Sequence, residues 1–395
     1  MVADKIYEEV FINSGKILLL QLLNQINSMT ENDLLYTLAL QHVPNIGDIT
    51  AKRLISNCGS AEAVLKEKKQ NLLKINGIGE IVLSDLFKTH HLKEAENEMA
   101  FIKDNAIKVS YFKDRNYPEK LKHCIDGPIL LFESGKINLE QKHIISIVGT
   151  RKITTNGIAF CESLVESLIP YNPIIVSGFA YGTDITAHKV AIKNNLQTIG
   201  CLAHGLNTMY PKVHKKYITD VEKNGGFFSD FWSTDKFDRN NFLKRNRIIA
   251  GLSEATIVVE SAEKGGSLVT ADIAGSYNRD VFAVPGRTND SQSIGCNNLI
   301  KHQKAHMLTT PLDVPYILNW QLEDDKKPTI QKQLFVELDD TEKVIYSYLK
   351  DNEKQQLDVI AINCNMPIFK VSSTLLNMEL KGVIRPLPGK LFEVV

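Results

Sequence analysis

Between residues 144 and 308 the apolar positions fall in short continuous runs separated by amphipathic stretches of helical period. The runs at 144–148, 173–177, 197–202, 255–259 and 280–284 are rich in β-branched residues. Strands that are apolar on both faces suit a parallel sheet covered by helices on either side. Helices are expected between them, at 156–168, 184–194, 213–224, 242–252 and 267–278. This alternation predicts a doubly wound α/β domain over 107–313.

The flanks follow other periods. From 34 to 87, short amphipathic helices are broken by two similar phrases, VPNIGDITAKRLI and INGIGEIVLSDLF. Each places a glycine turn before a helix start, which is the helix-hairpin-helix pattern of a SAM-like helical domain, assigned to 29–106. In that pattern the amides of the following helix can face a phosphate. A plain turn in a helical bundle fits equally well, because only Lys52 and Arg53 lie near the first hairpin. Met29 reads as a natural start, with Thr30 placed to cap a helix, so 1–28 is expected to be an extension. Residues 314–340 are charged and aperiodic and are expected to be a linker. The stretch 341–395 gives three helical pieces and then two strands about LPGK, the outline of a winged helix. Its recognition helix, expected at 367–381, carries Lys370 and Lys381 in a net acidic segment. That favours protein contact or a structural role over DNA reading.

Composition narrows the function. A chain of 395 residues is long for one core. Its zero net charge hides an asymmetry: Lys and Arg against Asp and Glu number 11 to 14 over 1–106, 28 to 23 over 107–336 and 7 to 9 over 337–395. An anion site is therefore expected in the middle. Six scattered cysteines, without a CxxC pair or metal-like spacing to histidine, point to a reduced cytoplasmic protein with no metal and no cofactor. The apolar run at 17–23 is too short to span a bilayer.

Ligands of open α/β sheets sit beyond the carboxyl ends of the strands. Those ends carry Gly149-Thr150-Arg151, then Ser177 and Gly178 leading to Asp184 with His188 a turn on, and Gly265-Gly266-Ser267 ahead of a helix. Each group has a plainer reading: simple turns, Ser267 and Asp184 as helix caps, His188 as a satisfied polar residue. GxSxG, Walker and HExxH patterns are missing from the sequence. Glycine amides, hydroxyls and arginines form a kit for binding phosphates rather than for catalysis. Phe179, Tyr181 and Phe242 lie near enough to stack bases, although Phe242 serves as well in a core.

The motifs IVGTRKITTNG, IVSGFAYGTDITAH, TIGCLAHGLNTMYP, FLKRNRIIAGLSEATIVVESAEKGGSLVTADIA and RDVFAVPGRTNDSQSIGCNNLIKHQKAHML resemble, in order and spacing, the DprA/Smf family of bacterial DNA-processing proteins. The resemblance implies an extended Rossmann-like fold flanked by the helical and winged-helix domains. It also implies single-stranded DNA binding, a homodimer formed through that fold, and loading of the RecA recombinase during natural transformation. Carried onto this chain, the phosphate pocket uses Gly149, Thr150, Arg151, Ser177, Gly178, Arg245, Asn246, Arg247, Gly265, Gly266 and Ser267. Arg245 and Arg247 are both expected to face it, and Lys244 to face solvent. The family usually has Ser at Thr150 and Glu at Asp230. A related lysine-decarboxylase-like phosphoribohydrolase family has a catalytic glutamate where this chain has Thr270; Glu260, at a strand end, keeps that enzymatic alternative open.

Overall fold

The computed structural model describes residues 29–140, 143–322, 338–387 and 391–394. The expected extension over 1–28 lies outside them. The chain divides into two compact units after Trp320.

The first unit opens with helices α1 (Glu31–Gln41), α2 (Asp48–Cys58), α3 (Ala61–Lys66), α4 (Lys69–Leu72) and α5 (His90–Asp104). Thr30 does cap α1: its hydroxyl accepts from the Asp33 amide, and the Asp33 carboxylate accepts from the Thr30 amide. Leu38, Leu54, Leu72 and Ile102 share a core with Ile129, Phe132 and Trp232 of the following domain, so helices and sheet meet at a packed seam. Of the two hairpin phrases, only the first runs into a helix, α2. The second continues as turns over 80–87. There β-branched Ile81 and Val82 disfavour a helix, and the Ser84 hydroxyl bonds back to the Ile81 carbonyl at 2.9 Å.

A nine-stranded sheet follows, made of β1 (Lys108–Tyr111), β2 (Leu130–Gly135), β3 (Ile144–Val148), β4 (Ile174–Ser177), β5 (Thr198–Cys201), β6 (Gly225–Ser229), β7 (Ala255–Val258), β8 (Asp280–Ala283) and β9 (His306–Met307). Its order is β1-β2-β6-β5-β4-β3-β7-β8-β9. The sheet is parallel from β6 to β9, and β2 and β1 extend it antiparallel beyond β6. All five expected strands are present within two residues. The other four escape the pattern for physical reasons: β6 begins Gly225-Gly226, whose missing side chains let it lie against the Thr198 and Ser134 carbonyls, and β9 is two residues long.

Helices α6 (Glu119–Lys122), α7 (Thr155–Ser167), α8 (Thr183–Lys193), α9 (Ile218–Lys223), α10 (Asn240–Leu252), α11 (Gly266–Ser276), α12 (Ile294–Lys301) and α13 (Asp313–Ile317) cover the sheet. The helix expected at 213–224 is split, with a 3-10 segment at Lys212–Tyr217 ahead of α9. Ile248 and Ala271, from α10 and α11, pack with Val148 and Val258 on one face. Leu164 and Ala187, from α7 and α8, pack with Ile147 and Ile257 on the other, so the sheet is wound on both sides as expected. The same second core takes in Val314 and Trp320, and Trp320 stacks on His143 at 4.2 Å. The domain thus runs past residue 313, and the first part of the expected linker belongs to the fold.

The second unit comprises α14 (Asp340–Asn352), β10 (Gln355–Gln356), α15 (Leu357–Asn363), α16 (Ile368–Leu380), β11 (Ile384–Leu387) and β12 (Leu391–Val394). Ile345, Leu349, Ile360, Leu375 and Ile384 form its core, and its sheet is ordered β10-β12-β11. This is the winged helix expected from the sequence. Its helix α16 displays exposed Phe369, Leu376 and Leu380 rather than a cluster of cations.

Candidate functional site

Strand β3 pairs with β4 on one side and β7 on the other, so the winding of the sheet reverses between β3 and β7. The crevice beyond these strand ends is where an open α/β sheet binds its ligand. It holds a cavity of about 320 Å³, walled by Gly149, Thr150 and Arg151 after β3, by Gly265, Gly266 and Ser267 at the start of α11, and by Arg245 and Asn246 on α10. Arg239 and Phe242 complete the α10 wall, and Asp184 closes the floor. The sequence reading did not single out Arg239, which lies just before the first turn of the helix and is exposed.

Each wall is held from behind. Helix α11 starts after Gly265, which has no side chain with which to cap it, so the amides of its first turn are left for a guest. The plainer reading of Ser267 as a cap does not hold: it lies inside the helix, with its hydroxyl 3.0 Å from that of Ser261. The Thr150 hydroxyl donates to Gln292 at 2.9 Å and accepts from the Lys152 amide, so a phosphate there would compete with Gln292.

Arg245 is the buried cation of the site, 4% exposed. Its guanidinium donates to the Gly178 carbonyl at 2.8 Å and to the Cys201 carbonyl, while its Nε has no partner. Burial lowers the Arg245 pKa and raises that of Asp184; each charge partly offsets the other's shift. Gly178 makes this proximity possible. A Cβ there would lie 2.5 Å from an Arg245 nitrogen and 2.6 Å from an Asp184 oxygen.

Four expected site residues lie elsewhere. Ser177 is fully buried and donates to the Ile147 carbonyl at 2.6 Å, and Gly178 meets the site through Arg245 and Asp184 rather than lining it. Phe179 has φ +58°, which turns its ring into the core against Phe227 and His214, so it cannot stack a base. Arg247 does not face the cavity. It pairs with Asp48 at 2.8 Å and with Asp230, and those partners raise its pKa against the cost of burial. Two residues along a helix are turned by about 200°, so Arg245 and Arg247 cannot share a face of α10. Lys244 is exposed, as expected.

Of the other stacking candidates, Tyr181 is on the surface at 42% exposure, and Phe242 lines the cavity with the Arg151 guanidinium 5.1 Å from its ring centre. His188 is fully buried and only half satisfied: its Nδ1 lies 2.7 Å from the Thr198 hydroxyl, while its Nε2 has no partner. Glu260 is turned away from the cavity, accepting from the Thr154 amide at 2.9 Å and from its hydroxyl. That placement removes the carboxylate on which a phosphoribohydrolase reading depended. At the first hairpin, Gly47 leaves α2 without a side-chain cap, but Asp48 at its head, which accepts from the Ile129 amide at 2.8 Å and pairs with Arg247, sets a carboxylate where a phosphate would approach. Among the described residues no single helix is long and apolar enough to cross a membrane.

The family model described as DNA recombination-mediator protein A matches residues 108–319, and the DprA winged helix domain matches 332–390. Protein Smf of Synechocystis sp. is 28% identical over 92% of this chain and all of its own length. Protein Smf of Escherichia coli is 34% identical over 69% of this chain and 74% of its own. The crystal structure of DNA processing protein A from Streptococcus pneumoniae superposes with a TM-score of 0.58 at 26% identity, covering 73% of this chain and 98% of that one.

Proposed function

The chain belongs to the DNA recombination-mediator protein A family, and on that premise we propose that the crevice beyond β3 and β7 holds the backbone of single-stranded DNA. The observation that carries the reading is the cavity's charge. Arg151, Arg239 and Arg245 converge on it together with the first amides of α11, against one carboxylate, Asp184. Such a surface grips phosphates and carries no base information, so binding has little sequence preference. Phe242 and Tyr181 stand where a base could stack. The role is binding, not turnover: strand protection and loading of the RecA recombinase onto it in the cytoplasm during natural transformation. A homodimer formed through the sheet domain fits the exposed Met307, Leu312 and Tyr316 near its β9 edge.

The test is oligo-dT binding across salt concentrations. Affinity should fall with a log–log slope of about −0.7 per phosphate neutralised. Single strands should be preferred to duplex, and adding RecA should give a ternary species in a gel shift. Salt-insensitive binding overturns the phosphate reading; an unaltered shift with RecA overturns only the loading role.

A further inference from the structure

The end of α1 and the start of α5 bring together three imidazoles that lie 48 residues apart in sequence. His42 caps the C-terminus of α1, and His90 and His91 are the first residues of α5. One ligand-capable nitrogen from each ring lies within 4.8 Å of those of the other two. The tautomer of His91 follows from its surroundings. Its Nε2 is 3.0 Å from the Asp85 backbone oxygen, which can only accept, so Nε2 carries the proton and Nδ1 presents a lone pair. That Nδ1 is 2.8 Å from Nδ1 of His42. The exposed His90 ring closes the triangle, its centre 3.9 Å from that of His91 and 5.9 Å from that of His42.

A backbone carbonyl that holds the far N–H of an imidazole and aims its lone pair into a cluster is the outer-shell arrangement of metal-binding histidines. We propose that His42, His90 and His91 bind a divalent first-row transition metal, Zn²⁺ foremost. Neutral imidazoles suit Zn²⁺, Co²⁺, Ni²⁺ and Cu²⁺, whereas Mg²⁺ and Ca²⁺ demand oxygen ligands. In a tetrahedral centre with bonds of about 2.0–2.1 Å the ligand nitrogens are about 3.3 Å apart. His42 and His91 therefore part by about half an ångström from their present contact when the metal enters. The fourth position opens toward solvent beside exposed His90, with Glu94 one turn further along the same face of α5 as the nearest supplementary carboxylate. The metal would fasten α1 to α5. Because His42 stacks on Trp232 at 5.0 Å, it would also be felt in the loop that follows Asp230.

The site is separate from the nucleic-acid reading and is tested apart from it. Untagged full-length protein, stripped with chelator, is titrated with Co²⁺. The expected result is one Co²⁺ per chain, with the intense visible absorption of a tetrahedral centre, quenching of Trp232 emission, and displacement by Zn²⁺ but not by Mg²⁺. His90→Gln, at an exposed position, and His42→Asn should each weaken Co²⁺ and Zn²⁺ binding by about tenfold or more, with unchanged circular dichroism. The exposed His306→Gln should bind as the parent does, and so should Arg245→Ala. Absence of a saturable Co²⁺ spectrum overturns the proposal, as does equal affinity in the parent, His90→Gln and His42→Asn proteins.

Discussion

The two faces of α10 carry one arginine each, and they are buried in opposite ways. Arg247 is ion-paired twice through its Nη2, set between Asp48 of the helical domain and Asp230 of the loop after β6. Arg245 is held by backbone carbonyls, with Asp184 near and one nitrogen unpartnered, beside an open cavity. A cation already neutralised by two carboxylates has little charge left for a guest. One fixed by neutral carbonyls keeps its charge for an incoming phosphate. Two residues of one helix turn thus separate an ion-paired arginine from one that lines the proposed phosphate cavity.

The comparison breaks most visibly at Arg247. Arg247→Ala should destabilise the protein by about 3–5 kcal/mol, because Asp230 is left buried and unpaired. Urea melts followed by tryptophan emission would show it. Replacing Arg247, Asp48 and Asp230 together with apolar residues should restore most of the loss. Next in size, Arg245→Ala should weaken oligo-dT binding by about 2–3 kcal/mol of charge-assisted hydrogen bonding, with a shallower salt slope, while Arg247→Met in that apolar background leaves binding intact. Equal losses of affinity at both positions would dissolve the distinction.

Acid offers a third test, on the cavity side. His188 is buried, and its pKa is lowered to about 3 from 6.5 by desolvation, with Arg245 adding to the shift. The unfolded chain binds the proton first, so the stability this neutral group allows is intact above pH 6.5 and is lost as pH falls toward 3. At pH 5 the loss should be about 2 kcal/mol, and His188→Gln should flatten that slope in melts at pH 7 and 5. The smallest effect is expected at Phe242, where replacement by Leu should cost about 1 kcal/mol of single-strand affinity if the ring stacks a base. No change there would leave Phe242 as a platform for Arg151 alone.

The sequence made legible whatever local period or strand-end chemistry dictates. The five central strands stand out because both of their faces are buried, and the glycine walls because close approach requires them. It did not reveal Arg247's direction: the resemblance put both arginines at the pocket, although both fall within the helix expected at 242–252, where residues two apart lie on opposite faces. Phe179 was misread because a left-handed backbone turns its side chain inward. Arg239 went unnoticed, as a cation in an aperiodic stretch carries no local mark. The histidine triangle is invisible in one dimension, since only the packing of α1 against α5 assembles it.

Asp48 and Asp230 hold Arg247 from two different parts of the fold, and that grip has a mechanical meaning. A helix packed on a sheet is free in principle to roll about its axis. With a guanidinium about 7 Å from the axis, a roll of about 20° would carry Arg245 about 2 Å, enough to miss a phosphate. The double carboxylate clamp acts as a torque stop on the far side of the rod, so that the aim of Arg245 into its cavity is set by residues outside that cavity.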